Sequence, residues 1–328
     1  MIVTLTINPT IDRVISVDRL AFEDRAYINS TRESAGGRGI NASCVINSFG
    51  GATLAVLISG GDAGQRLQNH LTCDGLPNLI VPIENEIRTN LTITDKHGLT
   101  VNLNETGPTL SKAEVARVEK AVKGTLDRAT WLMICGSIPP GVPTSFYGSL
   151  IAAARRKKVK TLLHADGEAL RQGIEERPTV ATPNQQEAER LLGRTLLTRT
   201  HYLEAAERIR TMGPETVVLS LGSRGAIGAF REGLYEALPP RVDAVCPIGA
   251  GDALSAAYTW AMTRKDNGVD AVRWGVAAGT ASARVRRARG DGADRGPHHG
   301  QRAARGPGHA VRAAGRDRAR GGTARARR

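Results

Sequence analysis

The 328-residue sequence contains few cysteines and no long apolar run. Its four cysteines lie far apart, without a Cys-x-x-Cys pair or histidines at metal-ligand spacing, so neither a disulfide framework nor a cysteine-based metal site is predicted. No apolar run approaches the roughly 18 residues of a membrane-spanning helix, and the first residues form no basic leader. These absences predict reduced thiols, no membrane partner and a cytoplasmic location.

Little net charge lies outside the C-terminal segment. Residues 284–328 contain 14 arginines, three aspartates and no lysine, so this segment carries +11 of the net +13 and the rest of the chain only +2. The segment has two larger aliphatic residues and no aromatic residue, and we therefore expect it to be disordered. Its arginines suit nonspecific contact with RNA phosphates, but without aromatic stacking no specific nucleic-acid partner is predicted.

Helical and apolar patterns alternate through the second half of the chain. The amphipathic segment 112–123, for example, precedes the apolar run 131–134. This alternation predicts an α/β fold, a mostly parallel sheet flanked by helices, with ligands at the carboxyl ends of the strands. Before it, segments 91–95 and 100–104 alternate apolar and polar residues and predict a hairpin with one open face. The domain is expected to span residues 1–283.

A glycine-rich turn with an aspartate precedes a late apolar helix. The segment Gly249-Ala250-Gly251-Asp252 leads into a predicted helix over 253–262. Small residues let the backbone close around an anion, and the first helical turn aims free N–H groups and the positive end of the helix dipole at it. Asp252 is placed to accept a proton from a hydroxyl that attacks a bound phosphate. The pattern indicates phosphoryl transfer without a Walker loop.

A second glycine cluster, Ala35-Gly36-Gly37-Arg38-Gly39-Ile40-Asn41, precedes another helical segment, 40–49. Its glycines allow a ligand to approach the backbone closely, and Asn41 can bond hydroxyl groups. A lone cluster of this kind also serves in ordinary turns. Its pairing with the later cluster at 249–252 favours a ligand site.

Three further segments mix glycine, proline and polar residues in a similar way. They are Asn8-Pro9-Thr10-Ile11-Asp12, Gly136-Ser137-Ile138-Pro139-Pro140-Gly141 and Pro183-Asn184-Gln185-Gln186-Glu187. Together with the two glycine clusters, and in this order and spacing, they resemble the PfkB carbohydrate kinases of the ribokinase-like fold. The resemblance implies a kinase that uses ATP and Mg²⁺, with a small lid of strands from about 10–34 and 86–106. It also implies a homodimer formed through the lid strands.

The resemblance implies a role for each residue of the site. Asp252 is the implied catalytic base, and the amides of Gly249, Ala250 and Gly251 are implied to stabilise charge on the transferring phosphoryl group. The implied substrate-binding residues are Asp12, Gly36, Gly37, Arg38, Asn41, Arg88 and Ser137. The implied nucleotide-binding residues are Asn184, Ser220, Gly222 and Gly225, and Glu187 is implied to hold Mg²⁺ through water.

Within this family, the chain resembles the branch of 1-phosphofructokinases and tagatose-6-phosphate kinases. The segments that carry this resemblance are Arg88-Thr89-Asn90, Asn104-Glu105-Thr106-Gly107-Pro108 and Gly167-Glu168-Ala169-Leu170. Arg88 is expected to grip the substrate phosphate, because a guanidinium matches phosphate oxygens bidentately. Phosphorylation of fructose 1-phosphate to fructose 1,6-bisphosphate is the favoured reaction. Tagatose 6-phosphate, fructose 6-phosphate, an unphosphorylated sugar or nucleoside, and a catalytically impaired kinase-like protein stay open.

The chain departs from the family pattern at several positions. Arg38 stands where lysine is usual, and Thr182 stands where a lysine commonly precedes Pro-Asn. His164-Ala165-Asp166 replaces the usual Asp-Ser/Thr-Ser. After residue 283 the family's final segment is replaced by the arginine-rich tail, and the abrupt change inside a helical run indicates a reading-frame change in the gene.

Overall fold

The computed structural model describes residues 1–21, 23–243, 248–284 and 311–313. Its strands are β1 (Ile2–Thr6), β2 (Thr10–Val17), β3 (Ile28–Gly36), β4 (Thr53–Ser59), β5 (Asn78–Pro82), β6 (Arg88–Asp95), β7 (Thr100–Leu103), β8 (Trp131–Cys135), β9 (Lys160–His164), β10 (Val180–Ala181), β11 (Thr216–Ser220), β12 (Ala226–Ala229), β13 (Leu234–Ala237) and β14 (Val311–Ala313). Its α-helices are α1 (Arg38–Ser48), α2 (Gly61–Cys73), α3 (Lys112–Thr125), α4 (Phe146–Arg156), α5 (Gly167–Glu175), α6 (Gln185–Leu192), α7 (Arg199–Met212), α8 (Ala250–Thr263) and α9 (Gly268–Ala283).

The larger sheet is mostly parallel and has the strand order β14-β13-β12-β11-β10-β9-β8-β1-β4-β5. Strands from β5 to β11 in this order pair in parallel, whereas β12, β13 and β14 add antiparallel pairs at one edge. Helices cover this sheet, which confirms the predicted α/β architecture. Among the described residues, no helix is long and apolar enough to cross a membrane.

Burial on both faces explains the continuous apolar runs of the central strands. All five residues of β1 are buried, as are all five of β8. Alternation along β8 sends Leu132 and Ile134 into the larger core cluster, and Trp131 and Met133 into a second cluster on the other face, beneath α1, α8 and α9. A strand buried on both faces has no reason to alternate with polar residues.

A smaller four-stranded sheet has the order β3-β2-β6-β7. Strand β2 pairs antiparallel with β3 and parallel with β6, and β6 forms the predicted hairpin with β7. The sheet therefore comes from the two segments in which lid strands were predicted. It leaves Tyr27, Ile28, Leu99 and Leu103 exposed. Among the strands that the structure describes, no ladder hydrogen bond joins this sheet to the larger one.

Some elements differ from the sequence-based expectation. Helix α2 was not predicted, because Gly61 and Gly64 weaken its helical signal and only three of its apolar side chains are buried. The spacing of apolar residues predicts a helix over 202–210, whereas α7 begins at Arg199. The side chain of Thr198 accepts a hydrogen bond from the backbone N–H of His201 and caps the helix there. Apart from residues 284 and 311–313, the segment expected to be disordered lies outside the described residues.

Candidate active site

Four helices begin close together near the carboxyl ends of the parallel strands. Helix α5 follows β9, α6 follows β10, and side-chain contacts connect both regions to the first turns of α1 and α8. Because a helix N-terminus presents unpaired N–H groups and positive partial charge, this arrangement creates a favourable place for anions. It lies at the edge of the sheet where the sequence predicted ligand binding.

The first turn of α8 is built as predicted from its glycines. Gly249 is the N-cap and adopts a left-handed conformation, with φ 82° and ψ 1°, that favours glycine. Ala250 and Gly251 follow as the first two helical residues, so their N–H groups belong to the turn that lacks intrahelical partners. The structure thus forms a turn suited to holding an anion beside Asp252.

Asp252 is buried and is oriented by a residue from the other glycine cluster. Asn41 Nδ2 donates a hydrogen bond to Asp252 Oδ2 at 2.7 Å, although the two residues are 211 positions apart. Asp252 Oδ1 lies 3.8 Å from Nδ1 of His164, at the end of β9. The sequence predicts that the two glycine clusters belong to one ligand site, and the contact between Asn41 and Asp252 brings them together.

His164 is a neutral neighbour of Asp252. Burial, together with the nearby positive charge of Arg38, lowers the pKa of His164 well below its ordinary value. Its Nδ1 lies 3.3 Å from the Ser255 hydroxyl, which donates to Thr182 Oγ1 at 3.0 Å. His164 and Thr182 are recognisable in the sequence as departures from the family pattern. Ser255 is not predicted as a site residue, because all that distinguishes it in the sequence is its hydroxyl group within an apolar helical run.

Arg38 connects two acidic side chains. Its Nη1 lies 3.0 Å from Glu187 Oε1, and its Nη2 lies 3.5 Å from Asp166 Oδ2. Burial opposes the charge of Arg38, but the attraction of Glu187, Asp252 and Asp166 outweighs it and raises the pKa of the guanidinium. The arginine that replaces the usual lysine therefore contacts acidic residues from two helix N-termini.

Glu187 and Asn184 form a capping box at the start of α6. Asn184 Oδ1 accepts from the Glu187 backbone N–H, and Glu187 Oε2 accepts from the Asn184 N–H, both at 2.9 Å. Burial raises the pKa of Glu187 against the opposing effect of Arg38. Among the described residues, no three acidic, histidine or cysteine side chains converge as a metal-ligand set. One carboxylate and one amide fit Mg²⁺ that keeps most of its ligands as water and phosphate oxygen.

A second group of predicted residues lies where the two sheets meet. Asn90 Nδ2 donates to Asp12 Oδ1 at 3.2 Å, so β6 orients the carboxylate of β2. A Cβ atom at Gly36 would lie 2.3 Å from Asp12 Oδ2, and only glycine lets the carboxylate occupy this place. Gly37, with φ 125°, then begins α1 in a conformation that disfavours other residues.

Arg88 is a partly buried cation held by backbone carbonyls. Its guanidinium donates to the carbonyl oxygens of Asn8, at 3.0 Å, and Glu105, at 3.1 Å. Across the described ranges, no carboxylate lies within ion-pair distance of it. Burial lowers the pKa of Arg88, but arginine starts so far above neutrality that the group stays charged.

Three buried polar atoms in this region have no hydrogen-bond partner among the described residues. They are Asn8 Oδ1, Arg88 Nε and Asn90 Oδ1. The Nδ2 group of Asn8 donates a hydrogen bond to Ser137 Oγ at 3.2 Å. Ser137, the second residue after β8, therefore lies beside these atoms. Because buried polar atoms are seldom left unpaired, this corner is suited to a polar ligand.

The predicted nucleotide-binding residues lie beside α6. A parallel bridge joins Asn184 to Ser220, at the end of β11. Gly222 has φ 60° with open space where a Cβ atom would stand, whereas a Cβ atom at Gly225 would lie 2.0 Å from the Ala237 carbonyl oxygen. Gly222 therefore leaves room for a ligand, and Gly225 is required by the turn itself.

The fold and the arrangement of this site define a carbohydrate kinase. The chain belongs to the pfkB family of carbohydrate kinases, whose family model matches residues 3–293. It is 32% identical over 282 residues to ATP-dependent 6-phosphofructokinase isozyme 2 of Mycobacterium tuberculosis, covering 85% of this chain and 83% of that protein.

Two further similarities agree with this assignment. The chain is 28% identical to a 1-phosphofructokinase of Borreliella burgdorferi, over 86% of this chain and 92% of that protein. It is also similar to the tetrameric inhibited form of phosphofructokinase-2 from Escherichia coli, with a TM-score of 0.81 and 30% identity, covering 86% and 93% of the two chains.

Proposed function

We propose that the protein transfers the γ-phosphoryl group of ATP to a hydroxyl of a sugar monophosphate, with fructose 1-phosphate as the favoured acceptor. The observation that carries this proposal is Arg88, a partly buried cation that binds two carbonyl oxygens and lies outside ion-pair distance of the described carboxylates. Asp12, Asp166 and Glu105 attract the guanidinium from beyond ion-pair distance, and a phosphate group would supply an anion in direct contact with it. The phosphate would also reach the Nε atom, which has no hydrogen-bond partner among the described residues. An unphosphorylated sugar offers no such partner.

In the proposed reaction, Asp252 accepts the proton of the acceptor hydroxyl as its oxygen attacks the γ-phosphorus and the bond to ADP breaks. General-base help of this kind contributes about 10²–10⁴-fold in rate. The amides of Gly249, Ala250 and Gly251 stabilise the charge on the transferring group, at about 10²–10³-fold for each effective donor. Asp12 and Asn41 bond the sugar hydroxyls, and Asn41 also holds Asp252 in position.

We infer that the ATP phosphates lie near the first turns of α6 and α8. Ser220, Gly222 and Gly225 border the nucleotide in this proposal, and Asn184 and Glu187 hold Mg²⁺ through water. When bound, Mg²⁺ would neutralise phosphate charge. Arg38 acts there as a second cation, and ligand entry changes its contacts with Glu187 and Asp166.

The smaller sheet is proposed to act as a lid over the acceptor. It carries Asp12 and Arg88, so its closure would bring both onto the sugar and exclude the water that would otherwise accept the phosphoryl group. Its exposed Ile28 and Leu103 favour a homodimer through this sheet. The related enzyme from Escherichia coli is described as a tetramer, so we expect the protein to self-associate.

Fructose 6-phosphate is the second candidate acceptor. The 32% identical relative from Mycobacterium tuberculosis is named a 6-phosphofructokinase, whereas the one from Borreliella burgdorferi is named a 1-phosphofructokinase. The two acceptors differ in which hydroxyl faces Asp252, while both present a phosphate to Arg88. Tagatose 6-phosphate stays a third acceptor for the same reason.

A substrate panel tests the proposal. ADP release would be measured with ATP and Mg²⁺ on fructose 1-phosphate, fructose 6-phosphate, tagatose 6-phosphate, fructose, ribose and adenosine, with Asp252→Asn protein as the background. We expect the highest kcat/KM on a phosphorylated ketohexose. A higher kcat/KM on an unphosphorylated acceptor would reject the phosphate-binding role, and no turnover on any acceptor would favour the impaired kinase-like protein.

A further inference from the structure

Two residues that depart from the family pattern meet at one buried hydroxyl. Ser255, on α8, donates to Thr182 Oγ1 at 3.0 Å, and its Oγ lies 3.3 Å from His164 Nδ1. All three side chains are buried. The departures at positions 164 and 182 therefore belong to one hydrogen-bonded group instead of being independent changes.

The hydrogen bonds select a tautomer of His164. A serine hydroxyl has one proton, and because Ser255 gives it to Thr182, its oxygen accepts from a protonated Nδ1 of His164. The same Nδ1 lies 3.8 Å from Asp252 Oδ1, while Asn41 donates to Oδ2 at 2.7 Å. The carboxylate thus accepts a hydrogen bond from Asn41 at one oxygen and has the edge of a neutral imidazole beside the other.

Among the residues that the structure describes, three titratable or cationic side chains from separate elements lie near Asp252. They are Arg38 of α1, Cys135 at the end of β8 and His164 at the end of β9. Burial raises the pKa of the Cys135 thiol and lowers the pKa of His164, so both are neutral near pH 7. Of these three neighbours, only Arg38 is charged.

We propose that His164 is a positioning residue for Asp252, and that Ser255 and Thr182 hold its ring so that the neutral Nδ1 edge of the imidazole packs beside the base. This inference rests on the proposed role of Asp252. His164 and Thr182 are both neutral, so this hydrogen-bonded group adds no charge beside Asp252. Replacing only one of the two by a charged residue would leave a buried charge without a partner.

A charge-exchange experiment tests this coupling. His164→Asp puts a second carboxylate beside Asp252, which should disfavour the ionised base. We expect the acid limb of the kcat–pH profile to move up by about one pH unit, so that kcat on the acidic side of this limb falls about tenfold, with KM for both substrates within about threefold. Adding Thr182→Lys to this variant should move the limb back towards its original position.

The outcomes are distinct. A folded His164→Asp protein whose acid limb and kcat are the same as in wild type would overturn the inference. So would a double variant whose acid limb lies no closer to that of wild type than the limb of His164→Asp does. His70→Asn, on α2, is the matched control for histidine replacement and should leave the profile unchanged.

Ser255→Ala keeps the test independent of buried charge, in case His164→Asp fails to fold. Without the Ser255 hydroxyl, no hydrogen bond from this residue fixes the tautomer and ring orientation of His164. We therefore expect kcat to fall about tenfold, while KM and the melting temperature change little. A wild-type kcat in Ser255→Ala would count against the inference. If Asp252→Asn also keeps a wild-type kcat, the role of Asp252 as the base fails, and the inference fails with it; if Asp252→Asn is inactive, only the role of His164 is rejected. Absence of turnover on every acceptor in wild type would instead reject the proposed function.

Discussion

Asp252 and Arg88 are single residues with opposite charges, and the protein holds them by different means. Asp252 accepts a hydrogen bond from Asn41 and has the imidazole of His164 on its other side. Arg88 instead donates to two backbone carbonyls and keeps one N–H group unpaired among the described residues. Replacing the two residues should therefore change different kinetic constants.

Asp252→Asn is expected to lower kcat by at least about 10²-fold, because the amide keeps the shape of the side chain but cannot accept the hydroxyl proton. KM for ATP and for the acceptor should change little, since binding does not need the proton transfer. Steady-state rates over a range of both substrates measure this. Near-normal kcat in the variant would remove Asp252 from the mechanism.

Arg88→Ala is expected to raise KM for the phosphorylated acceptor by about 10-fold or more, because it removes a charge-assisted contact worth about 1.5–3 kcal/mol. KM for ATP should stay close to its original value. Arg156→Ala, which removes an exposed arginine on α4, serves as the control. An unchanged acceptor KM in Arg88→Ala would contradict the phosphate-binding role.

The sequence predicted the residue types of the site better than their contacts. The paired glycine clusters pointed to Asn41 and Asp252, because small residues before helices are a local signal. The hydrogen bond between them, and that between Ser255 and Thr182, depend on how distant elements pack, and no local pattern contains that information. Arg38 illustrates the same limit, since its ion pairs with Glu187 and Asp166 join three separate helices.

At the scale of one element, α3 shows how a helix start connects to its surroundings. Ser111 is its N-cap, and Glu114 completes a capping box by accepting from the Ser111 N–H at 2.7 Å. Glu114 also accepts from the backbone N–H of Glu84 at 2.8 Å. Hydrogen bonds from the Glu84 and Ser111 backbones lower the pKa of Glu114, because they favour the ionised carboxylate.

This pKa shift predicts a pH-dependent contribution to stability. A carboxyl whose pKa is lower in the folded state stabilises the fold fully above its unfolded pKa of about 4.3, and loses that contribution as pH falls through the folded value. Glu114→Gln should therefore cost about 1 kcal/mol near pH 7. The difference in melting temperature from wild type should shrink below about pH 4.

Glu119→Gln, on the same helix, is the control for this prediction. Its carboxylate pairs with Lys123 on a more exposed surface, at 2.7 Å, and an exposed pair of this kind contributes little. Thermal melts of both variants between pH 3 and 7 provide the measurement. If the difference in melting temperature between Glu114→Gln and wild type does not shrink at low pH, the hydrogen bonds assigned to Glu114 are contradicted.

Elements with a strong period were predictable, and elements dominated by glycine or polar residues were not. The buried strand β8 and the helix α3 appear where their patterns placed them. Strand β3 and helix α2 are largely polar or glycine-containing, and tertiary pairing specifies them more than local pattern does. The sheet order depends on contacts between distant segments and was not predicted beyond its parallel character.

For the whole molecule, ligand binding should raise thermal stability. A ligand that binds only the folded state stabilises it by about 2.7 kcal/mol at one hundred times its Kd. For a domain of this size, that corresponds to about 4–5 °C in melting temperature. ATP with Mg²⁺ should give this shift in wild type and in Asp252→Asn, since both retain the binding residues.

Arg88→Ala provides the contrast in the same melting experiment. It should keep the shift caused by ATP and Mg²⁺ and lose most of the shift caused by the phosphorylated acceptor. Absence of any ligand-dependent shift in wild type would show that the purified chain does not form a competent site.

The separation of the two sheets has a consequence for hydrogen exchange. Four chain crossings connect the smaller sheet to the larger one, at residues 7–9, 37, 83–87 and 104–111, and no ladder hydrogen bond joins the described strands of one sheet to those of the other. Each sheet should therefore protect its own amide protons as a separate cooperative unit. The amides of β2 and β6 should exchange before those of β1 and β8, and bound acceptor should slow the first set more than the second.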